Sequence, residues 1–253
     1  MTRLDGRAAT APRPVTITRR YLQYAEGSCL IEVGQTRVVC SASVEEKVPA
    51  FLLNSRSGWV TAEYGMLPRS CLTRIPRARA ATGGRTQEIQ RLVGRSLRAV
   101  MELPRLGLRT IWVDCDVLQA DGGTRTAAIT GSFVALVDAL VYLRQAGAFT
   151  QLPVTDFVAA TSVGMVEEEP RLDLTYDEDA RADVDLNVVM TGRGALVELQ
   201  GTAERHPFSE AQLQQLIGLA KQGIAHVIAA QRQALQDVAS FLPAAAPPHA
   251  SVA

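Results

Sequence analysis

Ile111-Trp112-Val113-Asp114-Cys115-Asp116-Val117-Leu118, followed closely by Asp121-Gly122-Gly123-Thr124-Arg125-Thr126, is the stretch on which the fold turns. The first eight residues place Ile111, Val113, Cys115 and Val117 on one side, the period-2 pattern of a strand with a buried face. The two glycines then break the strand. From about Thr126 to Gln145 an apolar helix follows, with Ile129, Phe133, Leu136, Val137, Leu140 and Val141 at core spacing and Gly147 as a natural stop. A strand, a glycine turn and a core helix in direct succession imply that sheet and helix share one interior.

The flanking sequence repeats these ingredients. Upstream, Pro14 to Thr18 and Cys29 to Val44 read as strands, with Gly34-Gln35 turning a hairpin, and Trp59 to Tyr64 reads as another. Residues 65–84 form an irregular, arginine-rich connection. A helix over Thr86 to Met101 puts Ile89, Leu92, Val93, Leu97 and Val100 on one face and Arg91, Arg95 and Arg98 on another. Downstream, strands are expected over 157–166, 171–175, 182–191 and 195–202. Ser209 and Gln212 make a capping box for a last helix to about Leu235. The class is α+β, a single compact domain over residues 1–239 with mixed sheets and packed helices. The Pro- and Ala-rich residues 240–253 are expected to be a disordered tail.

Composition narrows the classes. At 253 residues and 47% hydrophobic, the chain can bury a large core. No stretch reads as the ~20 consecutive apolar residues needed to cross a membrane, so no membrane partner is expected. Met1 to Pro14 has no hydrophobic run resembling a secretory signal. Cys29, Cys40, Cys71 and Cys115 form no CxxC pair, which argues against a zinc site or disulfide framework and points to a reducing, cytoplasmic setting. Net charge is zero, yet residues 1–110 carry 18 Lys+Arg against 8 Asp+Glu, and residues 111–253 carry 8 against 18. Only Lys47 and Lys221 are lysines; arginine's rigid fork suits phosphate recognition, although GC-rich coding accounts for an overall arginine bias equally well.

Three constellations carry chemistry. In the first, Gly122-Gly123-Thr124-Arg125-Thr126 combines a glycine turn, a helix start, two hydroxyls and a guanidinium, a set suited to one phosphate-sized anion. It lacks the spacing and lysine of a P-loop, and a plain strand-to-helix turn explains the same residues. In the second, residues 69–98 hold eight arginines (Arg69, Arg74, Arg77, Arg79, Arg85, Arg91, Arg95 and Arg98) with only Glu88 among them. A merely solvated face normally mixes signs, so a polyanion such as a nucleic acid is the better reading. With aromatics at 5%, backbone tracking is favoured over base stacking. The third is the acidic stretch 167–185, with nine carboxylates. A strand starting near Ala182 puts Asp183, Asp185 and Asn187 on the face opposite Val184, Leu186 and Val188. Asp185 inside an apolar strand, with Asp179 in the loop before it, can hold a hard divalent cation through oxygens. His206, His226 and His249 suggest no triad.

Taken together, these stretches resemble the ribonuclease PH family. The likeness is carried by Ala25-Glu26-Gly27-Ser28, Gly58-Trp59-Val60-Thr61-Ala62-Glu63-Tyr64-Gly65-Met66-Leu67-Pro68-Arg69, Gly84-Arg85-Thr86-Gln87-Glu88-Ile89-Gln90-Arg91-Leu92, Asp121 to Gly131, Val184-Asp185-Leu186-Asn187-Val188-Val189-Met190-Thr191-Gly192 and Gln200-Gly201-Thr202-Ala203-Glu204. The chain departs from the family in the loop Ser70-Cys71-Leu72-Thr73-Arg74-Ile75-Pro76-Arg77, which is about two residues short before Arg85, and in its tail.

The resemblance implies a phosphorolytic 3′-to-5′ exoribonuclease, a tRNA nucleotidyltransferase that releases nucleoside 5′-diphosphates reversibly. It implies a phosphate site at Arg85, Gly123, Thr124 and Arg125, and catalytic, Mg²⁺-holding aspartates at Asp179 and Asp185. It further implies RNA, as tRNA precursor 3′ ends, for a partner, and assembly into a homo-hexamer, a trimer of dimers. By position, Arg69, Arg74, Arg77 and Arg91 are expected to hold RNA or subunit contacts. Whether an aspartate holds metal or protonates the departing oxygen is open. A hydrolytic exonuclease and a non-catalytic RNA-binding ring subunit are the competing classes.

Overall fold

The computed structural model of the chain describes residues 3–77 and 83–244. Arg79 and most of the expected tail, residues 245–253, lie outside the described residues. In chain order the strands are β1 (Val15–Arg19), β2 (Gly27–Val33), β3 (Thr36–Glu45) and β4 (Trp59–Met66). Helix α1 (Gly84–Arg98) and the single turn α2 (Leu103–Leu106) lead to β5 (Thr110–Gln119) and α3 (Thr124–Gln145). Then come β6 (Val158–Val166), β7 (Glu169–Leu172), the single turn α4 (Tyr176–Asp179), β8 (Val184–Thr191), β9 (Leu196–Ala203) and α5 (Glu210–Ala234).

Two sheets result. One has the order β1-β2-β3-β5-β4, antiparallel except for the parallel pair β4 and β5; the other is the antiparallel β7-β6-β8-β9. Helix α3 packs on both sheets, α1 lies against β4, and α5 covers β6, β7, β8 and β1. One continuous apolar core runs through both sheets and these helices.

The placement of α3 corrects an expectation. Residues 124–145 are long and apolar enough to cross a membrane, contrary to the sequence reading, but the most apolar stretch of this helix is 94% buried inside the fold. A helix enclosed between two sheets needs apolar residues all round. Its few polar groups are matched: Ser132 meets Cys115 at 3.0 Å, Asp138 pairs with Arg19, and the Thr130 carbonyl accepts from Gln231 of α5 at 3.0 Å.

Other differences are local. α1 starts two residues early at Gly84 and ends at Arg98, and α3 also starts two residues early. The strand expected over 171–175 is β7, 169–172, because Asp173 turns to a left-handed φ of 55° and gives its carboxylate to Arg13. The turn α4 was not foreseen. The packed chain continues past the expected boundary at residue 239: Phe241 and Leu242 pack against the core, and Arg144 lies 3.7 Å over the Phe241 ring.

Candidate active site

Two adjoining hollows of about 810 and 500 Å³ share Arg85, Arg125, Asp179, Asp185 and Asn187, and so form one cleft. The smaller is also lined by Gly122, Gly123 and Thr124 from the glycine turn, and the larger by Gln200, Glu204 and Arg205 from the β9 region.

The turn is built to stay in place. Gly122 and Gly123 have φ values of 73° and 65°, the left-handed region open to glycine without strain. A Cβ on Gly122 would also collide with the Leu174 carbonyl. Thr36 Oγ1 donates to the Gly122 carbonyl at 2.7 Å and accepts from the Asp121 amide at 2.9 Å. From beneath, the buried Arg13 guanidinium donates to the Asp121 and Gly122 carbonyls. Asp173 holds Arg13 in turn, its Oδ1 2.7 Å from Nη2 and its Oδ2 3.0 Å from Nε. Burial alone would raise the Asp173 carboxyl, but the hydrogen bonds and charge of Arg13 outweigh it and hold it below the usual carboxylate range.

No side chain caps the start of α3 at Gly123. Its first-turn amides therefore lack intrahelical partners and sit at the positive end of the helix dipole. The two threonines then divide. Thr126 turns its hydroxyl back onto the Gly123 carbonyl at 2.8 Å and serves the turn. Thr124, which lines the cleft, accepts a hydrogen bond from the Tyr64 hydroxyl.

Arg125 is the second residue of α3, and Arg85 is the second residue of α1, whose start at Gly83 is likewise without a side-chain cap. Two glycine-preceded helix starts thus aim equivalent arginines at the same space. Arg125 is steadied by Gln200, whose Oε1 accepts at 3.0 Å, and by Glu88 at 3.6 Å; Gln200 donates to Glu88 at 2.9 Å.

The opposite wall is acidic. Asp185 is the second residue of β8, on the face away from the buried Val184, Leu186 and Val188 and shared with Asn187, as the alternation indicated. Asp179 ends α4. That turn is anchored by the neighbouring Glu178, which is buried and accepts from Arg3 at 2.6 and 2.8 Å and from Arg171 at 3.3 Å. The cleft walls desolvate the Asp179 carboxyl and push its pKa up; Arg85 and Arg125 pull it back, and Glu204 adds to the rise. Asp185 is also raised, first by burial, then by repulsion from Asp179 and Glu204, with Arg125 opposing. Two mutually repelling carboxylates beside an amide oxygen fit a hard divalent cation. Among the described residues no group of three His, Cys, Asp or Glu side chains is arranged to hold a metal by itself. Two carboxylates and an amide oxygen would leave such an ion room for water and substrate oxygens.

The structure brings Arg85, Gly123, Thr124, Arg125, Asp179 and Asp185 into this one cleft, and Arg74 lines its smaller half beside Ile75 and Pro76. Arg69, Arg77 and Arg91 are exposed and line neither hollow. Two arginines of the basic belt serve the fold instead: Arg95 pairs with Glu198, and Arg98 donates to the Val60 carbonyl at 2.8 Å while lying 4.3 Å over Trp59. Asp114 and Asp116 lie on β5 outside both hollows, their carboxyls raised chiefly by desolvation. Glu204 and Gln200 were not foreseen as site residues. The signal was antiparallel pairing: Asp185 faces Thr202, which carries Glu204 to the start of β8, where its amide donates to the Asp183 carbonyl at 2.9 Å.

The sequence model of the 3′ exoribonuclease family, domain 1, matches residues 11–141, and that of its domain 2 matches residues 156–223. Ribonuclease PH of Moorella thermoacetica is 61% identical over 242 residues, covering 95% of this chain and 97% of that protein. Ribonuclease PH of a Bacillus cereus strain is 54% identical over 243 residues, with 95% and 99% covered. Among solved structures, Rrp46 of rice (Oryza sativa) superposes with a TM-score of 0.75 at 21% identity, over 92% of this chain and all of that one. An Archaeoglobus fulgidus exosome chain, solved with RNA bound to the active site, gives 0.77 at 21% identity, over 90% and 91%. At that identity the two structures speak for the fold.

Proposed function

The chain belongs to the ribonuclease PH family of phosphorolytic 3′-to-5′ exoribonucleases, and on that premise we propose that the shared cleft is where phosphate meets the RNA 3′ end. The observation that carries the reading is the meeting, in one cleft, of a preorganised anion turn and a pair of carboxylates with raised pKa values.

The enzyme converts RNA of n nucleotides plus inorganic phosphate into RNA of n−1 plus a nucleoside 5′-diphosphate. A phosphate oxygen forms a bond to the phosphorus of the last phosphodiester. The bond from that phosphorus to the 3′ oxygen of the preceding ribose breaks, its electron pair goes to that oxygen, and the oxygen takes up a proton. Phosphate is already an anion at neutral pH, so no strong base is needed. The protein's work is to hold two anions together and stabilise the charge that develops.

Arg85, Arg125, the Thr124 hydroxyl and the amides at Gly123–Thr124 hold phosphate in line. Gln200 and Glu88 keep the Arg125 fork aimed. Asp179 and Asp185, with Asn187 beside them, would hold a Mg²⁺ ion, which when bound supplies positive charge to the transferring phosphoryl group and the departing oxygen. Arg69, Arg74, Arg77 and Arg91 track the RNA backbone or contact a neighbouring subunit. The preferred RNA is the 3′ end of tRNA precursors, processed in the cytoplasm by a homo-hexamer built as a trimer of dimers. Fold neighbours solved as parts of an exosome are in keeping with a multi-subunit assembly, and the arginine-rich surface supports the RNA partner.

The test is to incubate RNA with Mg²⁺ and the purified chain, with and without phosphate, and identify the mononucleotide. Nucleoside diphosphates should appear only with phosphate. Monophosphates released equally fast without it would mean that water is the attacking group.

A further inference from the structure

Beneath the glycine turn the Thr124 hydroxyl meets a second hydroxyl, that of Tyr64, which the reaction above does not use. Tyr64 sits on β4, facing the core beside Cys115 of β5, and is 5% exposed. Its hydroxyl donates to Thr124 Oγ1 at 2.9 Å. Thr124 is 8% exposed, is the first residue of α3 and borders the smaller hollow. A tyrosine on an apolar strand face gains nothing in packing from its oxygen, so the oxygen's direction needs a reason.

The reason is found in what a phosphate-binding hydroxyl must do. A threonine hydroxyl has one hydrogen to give and two lone pairs to offer. The charged oxygens of phosphate are acceptors, so Thr124 stabilises their charge only when its hydroxyl hydrogen points at the anion. Left alone, that rotor samples several directions. The hydrogen bond donated by Tyr64 occupies a lone pair of Thr124 Oγ1 on the buried side and turns the Thr124 hydrogen toward the cleft. Burial raises the phenol's pKa, against the pull of Thr124, Arg85 and Arg125, so Tyr64 stays a donor throughout the neutral range. The opposing influence of both arginines also places the phenol within electrostatic reach of the phosphate site.

We propose that Tyr64 is a positioning residue for the phosphate subsite, fixing the Thr124 hydroxyl as a donor to the attacking phosphate. The inference rests on the reading that Thr124 binds phosphate, and the experiment separates the two. Rates are measured against phosphate and against RNA for wild type, Tyr64→Phe, Thr124→Val and the double variant, with thermal unfolding as the check on fold. Tyr64→Phe should raise the phosphate concentration for half-maximal rate roughly 3- to 10-fold, the equivalent of one ordinary hydrogen bond, with RNA half-saturation unchanged. Thr124→Val should raise it at least as far, and Tyr64→Phe should add nothing in that background.

If Thr124→Val leaves the phosphate dependence unchanged, the phosphate-site reading falls and takes the proposal with it. If Thr124→Val weakens phosphate but Tyr64→Phe does not, only the proposal falls. Equal effects of Tyr64→Phe in both backgrounds, or a loss of RNA affinity and thermal stability in step with phosphate affinity, would assign Tyr64 a purely structural role. Should Tyr64→Phe not fold, protection of wild type and Thr124→Val against thermal unfolding by inorganic phosphate still decides: equal protection of both overturns the proposal, because a hydroxyl that does not bind phosphate needs no positioning.

Discussion

The glycine turn at 121–126 and the loop at 67–77 both bring arginine to one cleft, yet they are built in opposite ways. The turn is held from below by buried charge, with Arg13 clamped between Asp173 and two turn carbonyls, and its own arginine is steadied by Gln200 and Glu88. In the loop, Arg69, Arg74 and Arg77 are exposed, and among the described residues none of them pairs with a carboxylate. A rigid frame lowers the cost of binding one small anion of fixed shape. Free, solvated guanidiniums suit a polymer whose backbone must slide after every cleavage. Under the proposed function, the contrast is between a subsite for phosphate and a surface for RNA.

The sharpest way to break the contrast is to disable the chemistry and leave both regions intact. Asp179→Asn or Asp185→Asn should reduce turnover by roughly 10³-fold or more, several kcal/mol of transition-state stabilisation. RNA affinity and thermal stability should stay close to wild type, because neither carboxylate is needed for packing. Near-wild-type turnover in either variant would move the catalytic centre out of this cleft.

A second prediction addresses the frame itself. Arg13→Ala leaves the buried Asp173 carboxylate with only the residue-13 amide and the weaker pairing with Arg7, 3.6 Å away, so the loss should approach the roughly 3–5 kcal/mol of a broken buried pair without exceeding it, visible as a lowered unfolding midpoint. Phosphate half-saturation should rise in the same variant, since the turn loses its support. The pair also sets an acid limit. The folded Asp173 carboxyl lies below its ordinary value, so its contribution is complete above the unfolded value of about 3.9 and is lost as pH falls through the lower folded value. Asp173→Asn should therefore unfold with a shallower pH dependence below about pH 4 than wild type. An unchanged acid slope would show that the pair is not what holds the turn at low pH.

The same contrast explains what was legible beforehand. The glycine turn could be read because its requirement is local: positive φ, a helix start and a guanidinium follow one another in six residues. Asp185 could be read because it interrupts an apolar alternation. The Arg13 clamp could not, since it joins residues 160 apart and nothing in Arg13 marks it as buried. Arg95 and Arg98 looked like part of an RNA-facing belt, because a sequence shows charge without its partner; Glu198 and Trp59 are supplied by distant strands. The apolar helix from about Thr126 to Gln145 is legible from its core spacing; that two sheets enclose it is not, because the strands that cover it come from distant parts of the chain.

The finest division lies between arginines of the two regions, and it sharpens the comparison most. Arg125→Ala or Arg85→Ala removes a charge-assisted donor from a fixed site. It should raise the phosphate requirement by an amount equivalent to about 1.5–3 kcal/mol and leave the salt dependence of RNA binding nearly unchanged. Arg74→Ala, Arg69→Ala or Arg77→Ala removes a solvated charge that the frame never fixed. Each should leave the phosphate requirement alone, weaken RNA binding modestly, and flatten the plot of log affinity against log salt by about one unit per lost phosphate contact. Arg74, which lines the smaller hollow, is the informative case, since it stands near the anion site but on the loop whose described arginines have no carboxylate partner. Titrating phosphate and RNA separately at several salt concentrations, with size-exclusion chromatography to follow assembly, distinguishes the outcomes. A loop variant that changed oligomeric state without changing the salt slope would reassign its arginine to a subunit contact. A rise in phosphate requirement for Arg74→Ala as large as for Arg125→Ala would mean that loop and turn form one anion site, and that the rigid frame extends further than its buried ion pairs indicate.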